Sequence, residues 1–596
     1  MSSTSTPAGI DQPGFGNFDR RPVIEGGSRD ACEIGWPAVV ERLCDSVVQR
    51  RAVVAIDCYI GVDVERIIAE IAPHLSPSLV VRTADALFDS DTIDEIVAPF
   101  LGGDDPLFGV ITNLTLDDLV DPARSTALRA DIADASGVVL VVGPGAARFD
   151  PDLVVIADLP RWEAQQRHRS GATGNLGADN AGAPASSLYK RAYFVDWRIA
   201  DRWKLAHLAD ANFVLDTTIT DEPRLVTGDG YRDALERTVR RPFRLVPFFD
   251  PGPWGGHWME AVCSLPTDRP NHAWCFDCVP EENSLLHGFG DIVVETPAIN
   301  LVLRHPRALL GERVVEQFGA EFPIRFDLLD TMGGGNLSLQ VHPTPDYITR
   351  FGMGYTQDES YYILDATAAS SVYLGTRTET NPDVMLAALR AAQGEGAHFD
   401  TDRFVNRWPV RRHDHLSIPA GTIHCSGADT VVLEISATPF IFTFKLWDWG
   451  RLGLDGRPRP INIDRGAEVI DWSRTTEWVA DELVDQIELV AEGPGFRMER
   501  TGLHESGFIE THRHWFREPV LHTRDDSVDV LNLVEGAEIT VESPERAFEP
   551  FRVHYAETFV VPASAGPFTV RPSGPSAGTE CATIRARIRA RPDADD

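Results

Sequence analysis

Lysine is almost missing from this chain. Only Lys190, Lys204 and Lys445 occur in 596 residues, and the remainder of the 55 basic side chains are arginine. Positive charge of either kind is in short supply, because 90 Asp and Glu leave a formal net charge of −35. Nucleic acids are held by Lys and Arg that displace phosphate counterions, and anionic bilayer surfaces attract the same residues. The balance argues against both as partners. Cysteine is sparse as well. Eight cysteines spread over the chain do not form a disulfide framework, and the N-terminus lacks a basic-then-apolar leader. No apolar run approaches the ~20 residues that cross a bilayer. The expected location is the cytoplasm. Cys275-Phe276-Asp277-Cys278 is a lone CxxC without the second ligand pair of a structural zinc.

What is present divides into unlike stretches, as expected for a chain longer than one core usually allows. Residues 1–20 are rich in Ser, Thr, Gly and Pro and are expected to form a disordered tail. Residues 21–240 alternate short continuous apolar runs (53–57, 79–81, 137–142, 153–156, 213–215) with helical patterns such as 63–74. Strands buried on both faces read this way, so a parallel sheet covered by helices is expected. Residues 53–65, VVAIDCYIGVDVE, resemble the strand, phosphate loop and helix start of uridine-kinase-like P-loop proteins. A working loop supplies glycines, then a Lys and a Ser or Thr for phosphate and magnesium. Here Asp63-Val64-Glu65 stands in that place, and two acids repel a triphosphate. The resemblance therefore implies a degenerate domain that keeps the fold without phosphoryl transfer, with a nucleotide or a sugar as its remaining ligand. Arg161, Arg167 and Arg169 read as a solvated helical face or the remnant of a lid. Residues 170–187 read as a flexible loop, and 193–204 open a helix.

The chemistry concentrates further on. Leu337, Leu339 and Val341 alternate with Ser338, Gln340 and His342, so a strand places Gln340 and His342 on the same face. Pro343 ends it. Glu359 opens a second strand-like run, and Ile418-Pro419-Ala420-Gly421-Thr422-Ile423-His424 is a tight turn leading into a third. Two imidazoles, one carboxylate and one amide oxygen suit a divalent metal, zinc first, with a position left for substrate or water.

Gln340-Val341-His342-Pro343, the glutamate before an aromatic strand and the PAGT-x-H turn resemble the type I phosphomannose isomerases, zinc enzymes on a cupin jelly roll. The resemblance extends to Trp254-Gly255-Gly256, to Ala308-Leu309-Leu310-Gly311-Glu312-Arg313 with Phe322-Pro323 and Leu328-Leu329-Asp330, and to Trp447-Asp448-Trp449-Gly450-Arg451 followed by Arg459-Pro460 and Val469-Ile470-Asp471. These occur in the family's order across roughly residues 245 to 475. The resemblance implies Gln340, His342, Glu359 and His424 as metal ligands, and a helical insert, here 376–413, covering one side of the pocket.

Aldose–ketose isomerisation moves a proton between neighbouring carbons through an enediol whose oxygen carries growing negative charge. A metal beside the oxygens, a cation and a base of near-neutral pKa lower that barrier. Lys445, Trp447, Trp449 and Arg451 share a face if their segment is a regular strand. By resemblance Lys445 stands at the position of the family's catalytic arginine, and Arg451 matches the arginine of its late signature. Asp358 and Glu434 are candidate bases. Gln357, Asp327 and His257 stand where the family carries lysines, which removes positive charge. Arg325 and Arg350 are candidates to hold a phosphate instead.

Beyond 475 an all-β stretch carries His512-Arg513-His514 and Glu518, which imitate a metal motif, but the turn at 562–566 lacks the histidine that should follow. A second, metal-free jelly-roll half is expected at 476–596, ending in a charged tail from 585. The expected organisation is multidomain: tail 1–20, degenerate α/β P-loop-like domain 21–240, metal-binding cupin domain 241–475, and the C-terminal jelly-roll half. The expected activity is zinc-dependent interconversion of mannose 6-phosphate and fructose 6-phosphate or a related phosphosugar, with a small-molecule sugar phosphate as the partner. Two alternatives stay open: a non-catalytic metal-cupin sugar sensor, and a small-molecule kinase working through the N-terminal domain.

Overall fold

The computed structural model describes residues 16–590 except 48, 104–107, 396–397, 438–442, 455, 457–458, 460 and 524–525. Residues 1–15 of the expected tail, 591–596 of the C-terminal one and Pro460 lie outside the described residues. Residues 16–20, counted with the tail above, are packed. Phe18 is buried against the Arg244 guanidinium, 4.8 Å from its ring centre, and the Asp19 N–H donates to Glu557 at 2.6 Å.

The apolar runs near the N-terminus build a seven-stranded sheet. Val53–Cys58 lies at its centre, parallel to Val139–Gly143 on one side and Leu153–Asp158 on the other. Leu79–Arg82 and Phe213–Asp216 continue it in parallel, and Arg224–Thr227 with Cys32–Ile34 closes one edge antiparallel. These strands have no solvent side, which explains their unbroken Val, Ile and Leu. The chain leaves the central strand through Gly61, whose φ of +100° an L side chain rarely adopts. It then enters the helix Val64–Leu75, where the Asp63 carboxylate accepts the Arg66 N–H at 2.9 Å. Glu65 is held by both Nε and a terminal nitrogen of Arg82, at 2.7 and 2.8 Å. The chain's own carboxylates thus occupy the start of this helix.

Two expectations for the following segment change. Arg161 and Arg167 do not lie on a solvated face; both are buried. Arg161 pairs with Asp201, and Arg167 donates to the carbonyls of Gly61 at 3.0 Å and Thr217 at 2.6 Å. Their helix is wedged where strand ends leave carbonyls unpaired, so the basic face turns inward. Arg169 alone is exposed, with both terminal nitrogens on Asp250 at 3.0 Å. The segment read as a flexible loop is pinned at its middle, where buried Asn175 donates to Asp196 at 2.7 Å.

The central part consists of two antiparallel sheets. One runs His415–Ile418, Glu359–Ala366, Thr430–Ser436, Arg325–Asp330, Trp274–Cys278, Phe248–Asp250; the other runs Val405–Pro409, Ser371–Thr376, His424–Ser426, Leu339–Val341, Phe444–Trp447. Tyr361, Val432 and Leu329 of the first belong to one buried cluster with Val372 and Leu374 of the second. On its other side the second sheet is covered by Ile463–Val469, where Gly466 lies so close that a Cβ would stand 2.5 Å from Leu446. The expected helical insert is helical over Pro382–Glu395 and Thr401–Phe404, but Val405–Pro409 is an edge strand paired with Ser371–Thr376. Pro409 is tolerated there because an edge leaves one side of the ladder free.

Two further sheets, of six and four strands, cover Ile487–Ile588 and share a core that includes Phe516, Leu531, Val541 and Phe568. The expected charged tail from 585 is instead part of Cys581–Ile588, a strand between Ile509–Phe516 and Asp529–Glu535. Ala582, Ile584, Ala586 and Ile588 supply its apolar face, and buried Arg585 is neutralised by Asp529 at 2.9 and 2.7 Å. That alternation is visible in the sequence and outweighs the local charge.

The N-terminal and central parts are knitted together. Val23–Gly27 pairs parallel with Ser284–Phe289, across the expected boundary at 240. Lys204, buried, is held by both oxygens of Asp158 at 3.0 and 2.8 Å and by Asn300 at 3.1 Å. A buried charge needs this full set of partners to remain ionised without large cost. Among the described residues no helix is long and apolar enough to cross a membrane.

Glu281 at this seam carries a testable consequence. Burial pushes its carboxyl up to about 7, against the opposing pull of Arg325. The unfolded chain releases that proton near the ordinary value of 4.5, so folding takes up a proton between the two values. Stability is then highest below about 4.5, falls as pH rises toward 7 and levels off above. Glu281→Gln, which mimics the protonated form, is expected to melt several degrees above the parent at pH 8 and level with it at pH 4.5. Thermal melts at the two pH values check this; an equal offset at both would contradict it.

Candidate metal centre and cavity

Three chemistry-bearing side chains come from three strands on two sheets. Leu339–Val341 buries its alternate residues on opposite sides, and sends His342 toward the facing sheet. His424 opens the strand after the turn at Gly421, whose φ is +91°. Glu359 opens its own strand on the other sheet. Their ligand atoms all lie within 4.8 Å of one another, and none of the three residues has solvent exposure. Glu359 bridges the imidazoles: Oε2 is 3.0 Å from Nε2 of His342, and Oε1 is 2.9 Å from Nε2 of His424.

Proton bookkeeping indicates what fits between them. The Nδ1 of His424 is 2.9 Å from the Thr422 carbonyl, and an N–H donated there leaves Nε2 with a lone pair facing a carboxylate oxygen. Oε1 of Glu359 is buried without a hydrogen-bond donor. Electron-rich atoms at such separations repel unless a cation or proton lies among them. Burial raises the Glu359 carboxyl, but the two imidazoles outweigh it and hold it well below the ordinary carboxylate range. A carboxylate and two imidazoles are the donor set a divalent metal takes. Gln340 completes the surround with its amide nitrogen 3.2 Å from Nε2 of His424; half a turn of the amide presents Oε1 in the same place. The four residues expected as ligands are therefore brought together.

A cavity of about 260 Å³ adjoins this group and is lined by Gln340 and Gln357, which contact His424 and Glu359. Arg325, Asp327 and Glu434 line it from one sheet, Lys445 and Arg459 from the other side. Burial, with help from Arg459 and Arg451, pushes the Lys445 ammonium down to about 8. Asp327 and Glu434 are cross-strand partners, so two carboxyls sit side by side in a buried place. Burial first, then repulsion from Asp327 and Glu359, raises Glu434 well above the ordinary range; burial and Glu359, against the pull of Arg325, push Asp327 up to about 7. Such a pair retains a proton at neutral pH, as a group that gives and takes protons must.

Not every expected residue reaches the cavity. The strand carrying Lys445 ends at Trp447, and Trp449 turns left-handed at φ +57°. Arg451 therefore does not share the face of Lys445. It is bound to Asp448 at 3.0 and 2.8 Å and does not line the cavity. Arg459, which the sequence offered only as part of a signature, lies there instead, donating to Ser338 and Asp448 at 3.0 Å. Arg350 is half-exposed at the surface and pairs with Glu468. Asp358 accepts the Ala420 N–H at 2.8 Å behind the turn, outside the cavity. In the C-terminal part His512 and His514 lie near each other and near His522, but Glu518 is exposed, and no second group of metal-ligand atoms gathers among the described residues.

Comparison with known proteins adds context. A family model described as a domain of unknown function (DUF8485) matches residues 35–240. The chain is 24% identical over 237 residues to mannose-6-phosphate isomerase ManA of Bacillus subtilis (strain 168), covering 39% of this chain and 68% of that one. It is 25% identical over 235 residues to the probable mannose-6-phosphate isomerase GmuF of the same organism, covering 39% and 69%. The solved mannose 6-phosphate isomerase of Bacillus subtilis aligns with 58% of this chain and all of its own, at 19% identity and a TM-score of 0.46.

The full-length protein is expected to carry about one divalent metal per chain, a stoichiometry that follows from one ligand set. His342→Ala should lower that content at least tenfold while leaving the circular dichroism spectrum intact. Elemental analysis of the dialysed proteins decides it; equal metal in both would contradict the site.

Proposed function

We propose that this chain is a metal-dependent aldose–ketose isomerase acting on a sugar phosphate, interconverting mannose 6-phosphate and fructose 6-phosphate or a close relative. The observation that carries this reading is one cavity that joins a buried His–Glu–His group to a proton-retaining carboxyl pair and three cations. Zinc is the first candidate for the metal, and a bound divalent ion polarises the substrate oxygens as a Lewis acid. The chain's own residues do the rest. Glu434 and Asp327, adjacent on one wall, supply the carboxyl that takes the proton from the carbon beside the carbonyl and returns it to its neighbour. Lys445, across the cavity, stabilises the charge that develops on oxygen as the enediol forms. Arg325 and Arg459 are placed to bind the phosphate, which Arg does well through paired donors. The relatives' names fit this reading. In the N-terminal domain Asp63 and Glu65 stand at the start of the helix after the central strand, which favours a role other than phosphoryl transfer.

A coupled assay with mannose 6-phosphate tests the activity, and sugar binding without turnover would favour the sensor reading instead. Lys445→Met is expected to lower kcat by about 10²–10³-fold, the usual cost of one electrostatic stabiliser. Lys445 is charged below about 8 and neutral above it. Wild-type activity should therefore fall as pH rises through 8, and Lys445→Arg should move that alkaline limb upward. An unmoved limb would remove Lys445 from this role.

A further inference from the structure

The metal-centred cavity does not end on its own sheet. Trp274 and Phe276 line it, and the same two residues line a second cavity of about 390 Å³. The far wall of this second cavity comes from the α/β part of the chain: Trp162, Gln165 and His168 on Arg161–Arg169, and Ser186 and Tyr189 on Ala185–Arg191. Aromatic rings run without a break between the two. Trp162 stacks on Phe248 at 4.1 Å and 18°, Phe248 stacks on Phe276 at 4.6 Å and 23°, and Trp274 meets Trp254 edge-on at 4.6 Å.

The sheet register explains the continuity. Phe248, Phe276, Asp327 and Glu434 are successive cross-strand partners, a single row from the edge strand to the carboxyl pair. The sheet therefore presents apolar rings at its edge and acids toward the metal group. The second cavity also has a polar rim. Glu282 accepts from Tyr189 at 3.0 Å and from Gln165 at 3.3 Å. His168 lies buried in the same wall.

We infer that the α/β domain supplies a second subsite to the isomerase cavity, and that the substrate is a reducing sugar phosphate bearing a further glycosyl residue. The inference rests on the isomerase reading and sharpens it. A sugar ring has C–H faces for an aromatic wall and hydroxyls for carboxylate, amide and imidazole. A second phosphate fits poorly, because Glu282 and Asp250 at the rim outnumber the single Arg169, which Asp250 already engages. A nucleotide is disfavoured on the same ground. The combined space also suits two rings better than one, since pockets for larger ligands start near 300 Å³. The N-terminal domain then acts as a wall that selects substrate, which requires no phosphate loop.

The test compares kcat/KM for mannose 6-phosphate with that for its 3-O- and 4-O-β-mannosyl derivatives, using the metal-loaded full chain. At least one derivative should be turned over with tenfold or greater preference. Trp162→Ala should bring that ratio toward one. Ser186→Trp, at an exposed position that would fill the second cavity, should do the same if the first variant folds poorly. Normal turnover of mannose 6-phosphate with no preference, or a preference that neither variant alters, overturns the subsite and leaves the isomerase standing. If no sugar is turned over, the isomerase reading falls, and calorimetric binding of the same three compounds decides the subsite. A glycosylated compound bound tenfold tighter, with the gain lost in Trp162→Ala, sustains it; equal affinities overturn it.

Discussion

The arrangement that the rest of this molecule serves is a carboxylate clamped between two imidazoles, buried between two sheets. Glu359 meets His342 at 3.0 Å and His424 at 2.9 Å, and all three are fully buried. Left alone, such a group is poor protein design, since an unpaired buried charge costs several kcal/mol. It becomes sensible once a cation is part of the fold. Two sheets must be held in fixed relation for the three strands to deliver these atoms to one point. The glycine-tight cover over Leu446 and the ordered chain around the PAGT turn help to hold that relation. Around this centre the cavity is graded, with Arg325 and a carboxyl pair on one side, Lys445 and Arg459 on the other, and aromatic rings leading away.

The same logic gives the N-terminal domain a place. Its central strand leaves through a glycine turn into a helix that Asp63 caps. The domain's buried cations are engaged internally: Lys204 by Asp158, Arg161 by Asp201, Arg167 by backbone carbonyls. Of these, Lys204 also reaches the neighbouring part of the chain through Asn300 at 3.1 Å. A module that has turned its charges inward and shares a cavity wall with Trp274 and Phe276 is suited to shaping a pocket.

Much of this was legible in the sequence, and the reasons are physical. Gln340 and His342 were readable as a pair because strand periodicity is two, and His424 because a Pro-Ala-Gly turn fixes where the next strand starts. The buried parallel strands announced themselves as unbroken apolar runs. What failed to show depends on tertiary context. Arg161 and Arg167 looked like a solvated face because local charge says nothing about carbonyls arriving from elsewhere in the chain. Residue 585 looked like the start of a tail because its arginines masked an alternating apolar face. Arg451 and Lys445 seemed to share a face only while their segment was taken as a regular strand, and a left-handed Trp449 breaks that register. Asp327 looked like a lost lysine; only its cross-strand neighbour Glu434 makes it one of two adjacent buried carboxyls.

The central claim is that two imidazoles and one carboxylate hold a metal in the middle of the chain. X-ray absorption at the edge of whichever divalent metal copurifies with the full-length protein addresses it directly. The account predicts a first shell of nitrogen and oxygen only, with the multiple-scattering signature of two imidazoles. A shell containing sulfur, one with no imidazole, or a protein that retains no metal would contradict it.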